Sequence, residues 1–182
     1  MKNAYVLKAT VFSLLFLIFL TSSVYSQEDS QEDKKRNKLT LSITHTLLPA
    51  AISENGHKTW LSLASWGLDY DREINEAWSV GLHSDAVIQN FKYEHDDIIK
   101  DRNSPIALAL VAKRKFGEHF GAFGGGGLEV SKGEETLGLI RIGADLGWEI
   151  PGNWEFAFSA VVDFKVEAYN ALVFGFGVGK KF

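Results

Sequence analysis

The chain has 182 residues, 46% of them hydrophobic, with a formal net charge of −4 and no cysteine. That length supports one domain after an export segment, and the absence of thiols excludes disulfides, thiolate nucleophiles, cysteine-ligated metals and a lipid-modified cysteine. The acidic balance argues against nucleic acid as a partner.

Residues 1–26 read as a signal peptide. Lys2 and Lys8 supply a positive start, Val11 to Leu20 form an apolar run broken only by Ser13, and Val24 and Ser26 fit a small-residue cleavage site before Gln27. The run is short for a spanning helix. Without Lys2 and Lys8, 17 of the 19 basic residues remain against 23 acidic ones, a net charge near −6. Residues 27–38, QEDSQEDKKRNK, carry no apolar side chain and are expected to form a disordered leader.

Eight alternating segments follow over residues 39–182. In the first, Leu39, Leu41, Ile43, His45 and Leu47 alternate with Thr40, Ser42, Thr44 and Thr46, and Pro49 to Lys58 reads as a loop. In the second, Thr59 to Tyr70, the parity of Trp60, Ala64, Trp66, Leu68 and Tyr70 is taken as outward over that of Leu61 and Leu63. Asp71 to Glu76 reads as a turn. The third segment sets Trp78, Val80, Leu82, Ala86 and Ile88 against Ser79, Gly81, His83, Asp85 and Gln89. Phe91 to Ser104 is the longest polar connection.

In the fourth, Ile106, Leu108, Leu110 and Phe116 oppose Lys113 and Lys115, and in the fifth Phe120, Ala122, Leu128 and Val130 oppose Gly121, Phe123, Gly125, Gly127 and Glu129. The sixth places Ile140, Ile142, Ala144, Leu146 and Trp148 against Arg141, Gly143, Asp145, Gly147 and Glu149. Pro151-Gly152-Asn153 then forms a turn, since proline presets one dihedral and glycine tolerates a positive one. The seventh sets Trp154, Phe156, Phe158, Ala160, Val162, Phe164 and Val166 against Glu155, Ser159, Asp163 and Lys165. The eighth sets Leu172, Phe174, Phe176, Val178 and the terminal Phe182 against Gly175, Gly177, Gly179 and Lys181.

An even number of such segments, with no helical period between them, matches the signature of a small transmembrane barrel. The pattern and Phe182 resemble the OmpA/OmpX-type small outer-membrane barrels across residues 39–182. The resemblance implies an all-β fold, an eight-stranded antiparallel up-and-down transmembrane β-barrel in the Gram-negative outer membrane, in contact with outer-membrane lipid. It also implies that the barrel-insertion machinery reads the C-terminal strand, with Phe182 as the insertion signal. Trp60, Tyr70, Trp78, Phe116, Phe120, Trp148 and Trp154 fall at segment ends and are expected to form two interfacial girdles. Short turns near residues 71, 117 and 152 belong on the periplasmic side, and the loops near 50, 95, 133 and 168 outside.

The other reading is a secreted soluble barrel or sandwich with its alternating face packed inward. It would put the charges in water but leave their neighbouring glycines unexplained, whereas small residues relieve crowding inside a narrow barrel. The inward parity gathers His83, Lys113, Lys115, Arg141 and Lys165 with Asp85, Glu129, Asp145, Glu149, Glu155 and Asp163. Charges of both signs in so narrow a space should pair, which predicts a plugged lumen.

Some barrels of this size modify lipid, and His83-Ser84-Asp85 has the residue types of an acyl hydrolase. In a strand, however, Ser84 points away from both neighbours. His45 lies outward without a strand-local carboxylate. His95, Asp96, Asp97 and Asp101 lack calcium-loop spacing and read as a solvated loop. Gly124 to Gly127 lack the Lys-Ser/Thr of a phosphate loop and read as a strand opened for close packing. The expectation is a structural or surface-interaction protein with no catalytic residue, metal or cofactor, and with its external-loop ligand left open. A lipid-modifying enzyme and a narrow small-solute channel are the alternatives.

Overall fold

A computed structural model describes residues 35–53 and 55–182. The expected signal peptide and residues 27–34 of the expected leader lie outside the described residues. Ten strands form: β1 (Asn37–Ile52), β2 (Lys58–Glu73), β3 (Trp78–Val87), β4 (Phe91–His95), β5 (Ile98–Arg102), β6 (Ile106–Phe116), β7 (Phe120–Val130), β8 (Leu137–Ile150), β9 (Trp154–Lys165) and β10 (Asn170–Lys181).

Eight of them make a closed antiparallel wall. Each wall strand pairs with the next, β3 pairing with β6, and β10 returns to β1 from Lys38↔Lys181 to Leu47↔Leu172. Closure leaves the wall without a free edge. The seam extends one pair further, where the Asn37 amide donates to the Phe182 carbonyl at 3.2 Å and the Phe182 amide to the Asn37 carbonyl at 2.9 Å. Asn37 and Lys38, assigned to the leader on sequence, are therefore strand residues. Lys38 joins the wall because its ammonium meets Glu155 at 2.8 Å inside it.

Three other boundaries differ from the sequence expectation. The first strand runs through Pro49 to Ile52, with the pairing to β2 shifting register between Leu48 and Ala51. A bulge accommodates a proline that has no amide to donate. The second strand runs on to Glu73, so Asp71, expected in a turn, is buried inside the wall. The connection over Phe91–Ser104 is a hairpin, β4–β5, turning through Asp96 and Asp97 at φ of 51° and 60°. Positive φ at both central residues is what a two-residue hairpin turn needs, and aspartate tolerates it better than most residues.

The two faces are opposite in chemistry. Outward positions carry Leu41, Ile43, Leu110, Ile140, Ile142 and Phe176, each more than half exposed. Thr40, Ser42, Thr44, His83, Lys113, Arg141 and Asp163 are buried inside. Leu61 and Leu63, which compete for the outward face on sequence, turn inward at the long-loop end. There Leu48, Leu63, Val87, Phe91, Tyr93, Leu137 and Tyr169 form an apolar cluster. A second interior cluster contains Ala107, Ala109, Val111, Phe123 and Val173.

The glycines of β7 have a steric cause. A Cβ on Gly125 would overlap the Leu110 carbonyl and the Val111 Cα, and one on Gly127 the Leu108 carbonyl and the Ala109 Cα. Backbone approaches backbone at both positions, so only glycine fits.

Candidate functional site

The interior charges form two groups along the barrel. Near the long-loop end, five wall and hairpin strands contribute to one chain of contacts. Arg141 on β8 forks onto Asp163 of β9, Nε to Oδ1 at 2.7 Å and Nη2 to Oδ2 at 2.8 Å, and reaches Asp85 of β3 at 2.7 Å. Lys165 lies 3.1 Å from Asp163 and 3.6 Å from Glu129. Glu129 on β7 also accepts from Arg102 of β5, at 3.0 Å from Nε and 2.6 Å from Nη2, and from the Tyr169 hydroxyl at 2.7 Å. The two-nitrogen, two-oxygen fork of Arg141 on Asp163 fixes orientation as well as charge, whereas both Arg102 nitrogens converge on one oxygen of Glu129.

Nearer the short-turn end, Lys38 pairs with Glu155, and His83 Nε2 lies 3.1 Å from Asp71 Oδ1. Lys113 pairs with Asp145, and Lys115 with Glu73. Asp69 accepts from the Ser84 amide at 3.2 Å. Glu149, expected inside, pairs with Lys181 at the rim and its side chain is 70% exposed, because β8 continues past the last layer that the barrel covers.

Between the groups lies a chamber of about 40 Å³ lined by Thr44, Asp69, Asp71, His83, Asp85 and Arg141 among others, and a second of about 10 Å³ lies next to Glu129 and Tyr169. Room for a water begins at ~10–15 Å³ on this measure, so neither holds more than a few. A larger groove, about 620 Å³, is open at the long-loop end between Leu61, Phe91 and Ile99.

Sequence reasoning missed Lys38, Asp69, Asp71, Glu73, Arg102 and Tyr169. The β2 carboxylates have the inward parity, a signal masked by reading Asp71 as a turn. Arg102 had no parity to read within a presumed loop, yet it is only 1% exposed and also donates to the Glu135 carbonyl at 2.7 Å. On the same loop Lys100 hydrogen-bonds Glu135 at 2.7 Å. That bond holds the Glu135 carboxyl below its ordinary value and raises the Lys100 ammonium. Burial, with the Glu129 carboxylate alongside, pushes the Tyr169 hydroxyl up, so it remains a donor.

His83 and Ser84 face opposite sides of the wall. The histidine is buried against Asp71, and the Ser84 hydroxyl donates to the Leu68 carbonyl at 2.7 Å on the exposed side. They do not form a nucleophile and its base. His95 lies 3.5 Å from Asp96, and Lys92 lies 3.6 Å from Asp101. Among the described residues no group of three or more His, Cys, Asp or Glu side chains is placed to hold a metal.

The seven girdle candidates are unevenly placed. Tyr70, Trp78, Phe116, Phe120, Trp148 and Trp154 all flank the short turns, and only Trp60 lies at the long-loop end. Connections alternate between the two ends, so residues chosen for flanking short turns fall at one end. Phe182 closes the seam at that same end, 43% exposed.

No protein-family model and no curated protein matches the sequence. Solved structures do match in shape. Ail, the attachment invasion locus protein of Yersinia pestis, is similar with a TM-score of 0.50 at 17% identity, over 81% of this chain and 99% of that one. The outer membrane protein OprG from Pseudomonas aeruginosa is similar with a TM-score of 0.55 at 14% identity, over 85% and 99%. Together with the closed antiparallel wall, these likenesses give this chain the fold of the small eight-stranded outer-membrane β-barrels.

Proposed function

We propose that the chain is an integral outer-membrane β-barrel, exported through residues 1–26, with a structural or surface-interaction role and a lumen plugged by ion pairs. One observation carries the reading: the wall is apolar outside and charged inside, the inverse of a soluble barrel. Leu110, 67% exposed on the outer wall, gains by meeting lipid, while Arg141 and Asp163 inside meet each other.

The short turns, together with the seam residues Asn37 and Phe182, then face the periplasm, with Phe182 as the signal for insertion and the turn-flanking aromatics at the lipid boundary. The long loops and the β4–β5 hairpin face outward. The hairpin folds Phe91 and Tyr93 into the mouth and leaves Ile98 and Ile99 exposed beyond it, the surface that an external partner would meet. No residue is catalytic in this reading.

The plug comprises two layers, the apolar cluster under the hairpin and the contacts running from Asp85 through Arg141, Asp163, Lys165 and Glu129 to Arg102. In planar bilayers the purified protein should show no resolved conductance steps. Steps of one reproducible size would overturn the plugged lumen and favour the narrow channel.

A further inference from the structure

Among the described residues, the cations inside the barrel stand beside carboxylates, as in Arg141 with Asp163 and Lys113 with Asp145. Two arginines on the outer face do not. Arg72 on β2 and Arg114 on β6 are exposed on the apolar side of the wall near the short turns, and neither has a carboxylate partner among the described residues.

Both flank Trp78 on β3. Arg114 is its direct register partner, while Arg72 is opposite Val80, the next residue on the same face. The Arg114 guanidinium carbon lies 5.6 Å from the Trp78 ring centroid and 5.2 Å from that of Phe116. Neighbouring strands are ~4.8 Å apart, so β2 and β6 are within reach of two arginine arms converging over β3.

Beside Arg114 the wall is shallow. The register continues Arg114↔Ala122↔Ala144↔Ala160 across β7, β8 and β9. Arg114 is two residues from the end of β6, whereas Ala160 lies six residues into β9, so this row climbs from the rim toward the middle of the wall. The adjoining row, Phe116↔Phe120↔Leu146↔Phe158, is bulky throughout. Small outward residues thus lead from the guanidinium into the apolar band, bounded on the rim side by that bulky row.

We propose that this face binds one anionic phospholipid of the periplasmic leaflet. Its phosphate would sit against Arg72 and Arg114 beside Trp78, and an acyl chain would lie along the alanine row. The inference rests on the outer-membrane reading above. An unpaired guanidinium at a lipid boundary is costly, and a phosphate supplies both the missing charge and two oxygens that the guanidinium fork can bond together. Lys180 at the same rim is a different case, because its ammonium already donates to the Gly152 carbonyl at 2.6 Å and covers Trp154.

The test uses the mature chain folded into vesicles of phosphatidylcholine and of phosphatidylcholine mixed with phosphatidylglycerol. The wild type should resist urea better in the mixed vesicles and should retain phosphatidylglycerol in native mass spectrometry. The Arg72→Gln/Arg114→Gln variant should lose most of both effects, while Lys58→Gln at the opposite end keeps them. A double variant with the full lipid-dependent shift, or a wild type with none, overturns the proposal. So does inorganic phosphate that reproduces the shift in phosphatidylcholine alone, which would make this a site for a free anion. Failure of the wild type to fold into either vesicle, read from unboiled gel mobility, would refute the membrane reading instead.

Discussion

Replacing Arg141 with alanine removes the hub of the interior ion pairs. The side chain is 1% exposed and makes three contacts of 2.7–2.8 Å with two carboxylates. After truncation Asp163 retains Lys165 at 3.1 Å, but Asp85 has no other ion pair among the described residues. Breaking a buried pair from one side costs ~3–5 kcal/mol, chiefly because a charge is left without compensation. Lys165 offsets part of that, so the lower half of the range is expected, about 3–4 kcal/mol. The assay is reversible urea unfolding in lipid vesicles, followed by tryptophan fluorescence. Arg141→Ala/Asp85→Ala should cost clearly less than the two single variants combined, since it removes the stranded carboxylate together with its partner. Additive losses, or an Arg141→Ala cost below about 1 kcal/mol, would show that water reaches the site and that the interior is not a dry plug.

Phe176→Arg, at a position 58% exposed in the middle of β10 and in ring contact with Phe158 at 5.0 Å, should cost ~2–4 kcal/mol of unfolding free energy in vesicles. A neutral result would mean that this face does not meet lipid. Gly125→Ala should destabilise by ~1–3 kcal/mol in the same assay, because its methyl meets backbone that cannot yield, whereas Gly126→Ala, with only the Leu139 carbonyl at 3.5 Å, should be close to neutral. The Lys100–Glu135 tether should depend on pH in one direction. Because the folded Glu135 carboxyl titrates below its unfolded value, the tether's contribution is complete above the ordinary carboxylate range and is lost as pH falls through the lowered folded value. Hydrogen-exchange protection over Ile98–Arg102, taken relative to the intrinsic rate at each pH, should therefore fall under acid conditions in the wild type and change less in Glu135→Gln.

The wall was legible because its signal is periodic and redundant. A side-chain period of two places Leu41, Ile43, Phe174 and Phe176 on one face, and a single register error would expose every charge on the other. What was not legible is non-periodic. The β4–β5 hairpin is short and charged, and its return over the mouth depends on Phe91 and Tyr93 packing against Tyr169, which lies far along the chain. For Leu61 and Leu63 the choice of the tryptophan parity as outward already implied an inward position, and the structure agrees, because the long-loop end of the interior is apolar. Partner choice among the charges was equally hidden. The pairing of Arg141 with Asp163 follows from their direct opposition on β8 and β9, but Arg102 with Glu129 requires the folded hairpin.

The most direct test of the outer-membrane barrel is gel mobility of the full chain expressed in a Gram-negative host. The outer-membrane fraction is run on a denaturing gel with and without boiling. A closed wall whose backbone bonds are all satisfied internally should resist the detergent, so the protein should be found in that fraction and change mobility on boiling. Recovery in the soluble periplasm, with the same mobility before and after boiling, would contradict the account and make the apolar outer face an interface with another protein.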